Sequence, residues 1–114
     1  MASGTIRSKR WTSVWTNTST STSFAAQTVQ IDLSSYTEVM IKFARADSDP
    51  TKGVFYFYAR VGDYLYAFYS FYLSGFKSRQ RSATIASTGI TFTQAEDNGS
   101  ANNTYLVPLE IFAR

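Results

Sequence analysis

The chain has 114 residues, 44% of them hydrophobic, 17% aromatic and 17% charged, with a formal net charge of +3. That length supports one core and not two, and the apolar-to-charged balance excludes a disordered polymer. Cysteine and histidine are both absent, which removes disulfide staples, Cys–His and Ser–His dyads and the usual zinc ligand sets.

No run approaches the roughly 18 apolar residues of a membrane-spanning helix, so no membrane contact is expected. MASGTIRSKRW lacks a signal-peptide apolar core, and the expectation is a protein made in the cytoplasm. Residues 1–10 are small, polar and basic and read as a flexible arm, leaving 11–114 as the folded domain.

Along that domain, WTSVW (residues 11–15) is a strand candidate, and TNTSTSTS (16–23) is a low-complexity loop. TVQIDL (28–33) alternates strictly and places Val29, Ile31 and Leu33 on one face. After a turn at LSSYT, residues 38–44 alternate again, with Val39, Ile41 and Phe43 inward. RADSDPTKG (45–53) carries turn chemistry at Asp49-Pro50 and Gly53. Beyond the aromatic stretch, strands are expected over 79–86 and 89–93, then a loop EDNGSANN, then a final strand over 104–113. There Tyr105, Val107, Leu109 and Ile111 alternate with Leu106, Pro108, Glu110 and Phe112. Pro108 cannot donate to a ladder and signals an edge position or a bulge. About eight short antiparallel strands with no helical period make the fold all-β, a single-domain β-sandwich or jelly roll.

The stretch GVFYFYARVGDYLYAFYSFYL (53–73) is aromatic on both faces. Read as a hairpin with the loop Gly62-Asp63-Tyr64, it pairs Val61 with Leu65, Ala59 with Ala67, Phe57 with Tyr69 and Phe55 with Phe71. One face then reads as core: Phe55, Phe57, Ala59, Val61, Leu65, Ala67, Tyr69, Phe71 and Leu73. The other carries Val54, Tyr56, Tyr58, Arg60, Tyr66, Phe68, Ser70 and Tyr72. Tyr56, Tyr58, Arg60, Tyr66, Phe68 and Tyr72 are the candidate oligomer interface or ligand-stacking face. The plainer alternative is that the N-terminal segment with Trp11 and Trp15 folds over it.

Lys77, Arg79 and Arg81 share one face of a strand and form a candidate basic contact strip, with Arg7, Lys9 and Arg10 in the arm. A solvated face or an edge guard explains the strip equally simply. Lys52-Gly53-Val54 lacks the aromatic that follows glycine in RNA-binding sheets, so a nucleic-acid partner is not favoured. Asp47-Ser48-Asp49 and Glu96-Asp97-Asn98 could offer a few oxygens to calcium, but turn-forming side chains account for both. The eight acidic residues show no acid–base pairing that points to catalysis. The chain reads as a non-enzyme needing no cofactor.

The segment WTSVWTNTSTSTSFAAQTVQIDLSSYTEVMIKF resembles a small domain of bacteriophage tail-fibre, tail-tip and other virion structural proteins. In that group a Trp-Thr-Asn start precedes a Ser/Thr run, FAAQT, an alternating strand, LSSY and a strand like EVMIKF. STGITF (87–92) and NNTYLVPLEIFAR (102–114) look like its closing strands. The aromatic stretch has no counterpart. The resemblance implies an all-β virion component, often trimeric in fibres, with no active-site residues to carry over. It implies self-association, other virion proteins docked through the arm, and contact with a host-surface glycan. A capsid decoration or head-fibre protein is the nearest variant. A carbohydrate-binding module using the Tyr-rich face, or a nucleic-acid-binding barrel, are readings of another class.

Overall fold

A computed structural model shows ten strands among the described residues, the longer ones built on period-two alternation, arranged as two antiparallel sheets. The structure describes residues 10–72 and 74–114. The expected arm, apart from the exposed Arg10, and Leu73 of the expected core face therefore lie outside the described residues.

The strands are β1 (Thr12–Thr16), β2 (Gln27–Gln30), β3 (Glu38–Ala46), β4 (Val54–Arg60), β5 (Tyr64–Tyr72), β6 (Phe76–Ala86), β7 (Gly89–Phe92), β8 (Glu96–Asp97), β9 (Ser100–Ala101) and β10 (Tyr105–Ala113). The first sheet has the order β1-β10-β3-β4. In the second, β6 is central: β5 lies along one side, and β7 and β8 pair with successive parts of the other. β2 extends the sheet beyond β7, and β9 beyond β8.

The inward faces meet in one core. Val39, Ile41 and Phe43 of β3 are fully buried as their alternation predicts, and Val29 and Leu33 join them. From the second sheet come Leu65, Ala67, Ala83, Ile85, Ile90 and Phe92. Phenylalanines bridge the layers. Phe24 meets Phe92 edge-on at 5.4 Å, Phe92 meets Phe43 at 6.3 Å, and Phe43 meets Phe57 at 5.8 Å. Such edge-to-face contacts suit the ring quadrupoles and add to the area buried.

The aromatic stretch is not a hairpin. β4 pairs with β3 and β5 with β6, so the two strands stand in different sheets. Asp63 N–H donates to Arg60 C=O at 3.0 Å, and Gly62 sits third in that turn with φ 99°. This is the geometry of a type II turn, which here carries the chain from one sheet to the other. Gly62 N–H donates to Ile85 C=O at 2.7 Å, anchoring the corner to β6. Each strand found a longer partner elsewhere, and those ladders outweigh a local turn preference. The in–out division nevertheless holds: Leu65 and Ala67 are buried, Phe55, Phe57, Ala59, Val61, Tyr69 and Phe71 are half-buried, and the tyrosines of the opposite parity are exposed.

One open expectation is decided, and two others change. Pro108 lies in a central strand, and the bulge explains it: the β10–β3 register shifts between Pro108 and Glu110. Asn17 stabilises this irregularity, donating its amide N–H to Leu109 C=O at 2.8 Å and its side-chain Nδ2 to Pro108 C=O at 2.9 Å. Alternation also breaks at Leu106, whose φ of 48° lets Leu106 and Val107 both be buried. The loop read over EDNGSANN contains the β8–β9 hairpin instead, turning through Asn98 (φ 50°) and Gly99 (φ 84°). Asn-Gly is the favoured pair for a two-residue turn with both φ positive.

Candidate interaction surface

β4 and β5 expose their even-numbered residues on opposite outer faces of the sandwich, because each strand turns its odd-numbered residues toward the shared core. Tyr56, Tyr58 and Arg60 therefore lie on the outside of the first sheet, and Tyr66, Phe68 and Tyr72 on the outside of the second. The six residues expected on one surface are divided between two.

On the first sheet, Tyr58 pairs with Met40, which pairs with Phe112. Trp11 folds over this row, 6.0 Å from the Tyr58 ring, and the Arg114 guanidinium sits 4.2 Å from the Trp11 ring. Arg114 is also bonded to Glu38, which pairs with Arg60 across the ladder. Trp11 thus partly covers its face, as the plainer alternative expected. Trp15 packs against the core beside Phe24 instead.

The second outer face is broader and less covered. Tyr64, Tyr66, Phe68 and Tyr72 stand along β5, and Phe76 pairs with Tyr72 at the start of β6. Exposure runs from 42% for Phe68 to 80% for Tyr72. The rings of Tyr66 and Phe68 stack at 6.0 Å with 18° between planes. Their hydroxyl-bearing neighbours are wired into the sheet: Tyr64 donates to Ser82 Oγ at 2.6 Å, Tyr66 donates to Gln80, and Gln80 donates to Glu96 at 3.2 Å. These bonds hold the rings on the sheet and pre-order the apolar surface. Tyr64 and Phe76 also belong to this face, although the sequence pattern puts Tyr64 in a loop and Phe76 ahead of the strand expected over 79–86.

The basic strip is corrected outright. Lys77, Arg79 and Arg81 occupy the inward parity of β6, so they form neither a solvated face nor an edge guard. Arg81 is 1% exposed. Its guanidinium donates to the carbonyls of Thr93 (2.9 Å), Tyr105 (3.2 Å) and Asn103 (3.4 Å) and lies 5.5 Å from the Phe24 ring. Burial pushes it down to about 10, so it remains protonated at neutral pH. Carbonyl dipoles take the place of a carboxylate partner. Arg79 is half-buried, donates to Asp97 at 3.1 Å and to the Tyr69 hydroxyl at 3.3 Å, and lies 3.9 Å from the Tyr105 ring. Burial opposes its charge, but the Tyr69 and Asp97 bonds outweigh that and hold it above its ordinary value. Lys77 is half-buried opposite Phe71.

Arg79 also lines a cleft of about 430 Å³ with Arg45, Lys52, Asp47 and Tyr105. Lys52 is bonded to Asp47 there. The other acidic turn residue, Asp49, accepts from Thr51 N–H at 2.9 Å and Thr51 Oγ1 at 2.6 Å, capping the single turn of 3-10 helix at Pro50–Lys52. Asn98 Oδ1 likewise accepts from Ser78 N–H at 2.7 Å. Turn and cap duties account for these polar groups. Among the described residues no group of three or more acidic side chains is placed to hold a metal ion.

No protein-family model, no curated protein and no solved structure matches this chain.

Proposed function

We propose that this chain is a non-enzymatic structural protein of a bacteriophage virion, of the tail-fibre or tail-tip type, that works by associating with copies of itself. The supporting observation is the second outer face, where Tyr64, Tyr66, Phe68, Tyr72 and Phe76 make one exposed aromatic surface. Contiguous apolar surface of this kind marks association, and Tyr and Phe are the residues enriched in such interfaces. The β-sandwich supplies a rigid support for it, and the tail-fibre likeness of the WTN…FAAQT…LSSY…EVMIKF segment supplies the setting. A capsid decoration protein would use the same surface in the same way.

Light scattering after size exclusion tests the proposal directly. A homo-oligomer at tens of micromolar is expected. A monomer across that range would remove self-association, and a glycan array responding to Tyr66→Ala would then favour a sugar platform.

A further inference from the structure

β5 pairs with β6 on one side, and among the described residues no strand pairs with its other side. Which of its backbone groups face that open side follows from the neighbouring ladder. Ser82 N–H donates to Thr93 Oγ1 and Thr93 N–H to Ser82 C=O, while Asn98 N–H donates to Ser78 C=O. Even-numbered residues of β6 thus face β7 and β8, and its odd-numbered residues face β5. Ile85 N–H donating to Asp63 C=O at 2.9 Å agrees. With the recorded register, Leu65, Ala67, Tyr69 and Phe71 bond to β6. The N–H and C=O groups of Tyr64, Tyr66, Phe68, Ser70 and Tyr72 then point off the sheet.

An open edge of nine residues is unusual when nothing among the described residues guards it. Proteins blunt such edges with charges, prolines, bulges or short length. YLYAFYSFY has no charge and no proline, and its pairing register with β6 has no shift. The strand is also complementary to itself. Turned antiparallel about Phe68, it sets Tyr64 opposite Tyr72, Tyr66 opposite Ser70 and Phe68 opposite Phe68 on the outer face. On the inner face Leu65 meets Phe71 and Ala67 meets Tyr69, a small residue opposite a large one in the second case. Every edge-facing residue meets another edge-facing residue, so the ladder closes without a slip.

We infer that two copies of the chain join β5 to β5 in antiparallel register about a two-fold axis at Phe68, making one continuous sheet across the dimer. The occupant is a second copy because pairing the uncharged edge with its own reverse sets no charges opposite each other, continues the exposed aromatic face of each copy into the other, and places small against large at Tyr66/Ser70 and Ala67/Tyr69. Hydrogen bonds at the edge and the stacked Tyr66–Phe68 surfaces of both copies then act together. The inference rests on the self-association proposed above and replaces the three-fold symmetry implied by the family likeness with a two-fold one.

The test uses the whole chain and charge exchange at the axis. Wild type is expected at twice the 12.8 kDa chain mass. Phe68→Lys places two ammonium groups opposite each other and is expected to run at half the wild-type mass, as is Phe68→Glu. Mixing the two is expected to restore the doubled mass as a one-to-one heterodimer. Ser70→Pro removes an edge-facing N–H and is expected to give monomer, whereas Gln30→Pro, at the outer strand β2, leaves the mass unchanged. Circular dichroism identifies any variant that has lost the fold. A wild-type monomer overturns both readings. A trimer, or a dimer that neither Phe68 charge disrupts and no mixture restores, overturns the two-fold edge alone.

Discussion

On one flank of the sandwich the outermost strands are short and polar. β1 has five residues and a register shift between Ser13 and Trp15, β2 is QTVQ, and β9 has two residues. On the other flank β4 and β5 run seven and nine residues, and their only charge is Arg60 at the corner. The same sheets therefore end in two ways, one that refuses further pairing and one that offers it. Both edges of the open flank come from one continuous stretch, so the aromatic excess of the chain is concentrated where the sandwich is unfinished.

The largest stability effect is expected on the closed side. Arg81 ties β6 to the backbone at Thr93, Asn103 and Tyr105, and Arg81→Met would remove all three bonds, leaving Asn103 C=O with Phe24 N–H and the other two without this donor. A loss of about 3 kcal/mol is expected in chemical denaturation. A loss under about 1 kcal/mol would mean that water or a neighbouring donor replaces the guanidinium readily.

Two glycines sharpen the contrast at a smaller scale. A methyl group at Gly89 would stand 2.5 Å from Val29 C=O, where β7 meets β2. Gly62, at the open corner with φ 99°, has nothing within 4 Å of that position. Gly89→Ala should therefore cost about 2–3 kcal/mol through displaced backbone, and Gly62→Ala about 1–2 kcal/mol through its left-handed conformation alone. Equal melting shifts for the two variants would contradict this difference.

The smallest effect should be alike on both flanks. Asp32 accepts from Ser34 N–H and Oγ near β2, and Asp49 accepts from Thr51 N–H and Oγ1 before β4. In each case the hydroxyl bond is the leading cause that holds the carboxyl below its ordinary value, with the backbone N–H second. A depressed folded value means the stabilisation is present above the ordinary carboxylate range and is lost as pH falls through the lowered one. NMR titration should find both carboxyls low, and Ser34→Ala and Thr51→Val should each raise only their own.

Much of this architecture was legible in the amino-acid order. Alternation placed Val39, Ile41 and Phe43 inward, and it divided the aromatic stretch correctly into inward odd-numbered and exposed even-numbered aromatic positions. Pro108 announced its bulge. Pairing was not legible, because GVFYFYARVGDYLYAFYSFYL looks the same whether its halves bond to each other or to distant strands. The polar appearance of FKSRQRS also concealed β6 as the partner of β5. Arg79 and Arg81 resemble surface residues until the carbonyls and rings that receive them are known. Asn98-Gly99 carried a hairpin signal that the surrounding acidic and polar residues obscured. The candidate surface is the least legible part, since a β4–β5 hairpin would merge the two outer faces that the observed pairing keeps apart.

The contact between Trp11 and Arg114 has a further consequence. β1 and β10 are neighbours, and Thr12 pairs with Ala113, so the described start and the C-terminal residue leave the sandwich from one corner. A short bridge could join them, and new ends could be opened at the Asn98-Gly99 turn, without disturbing the core.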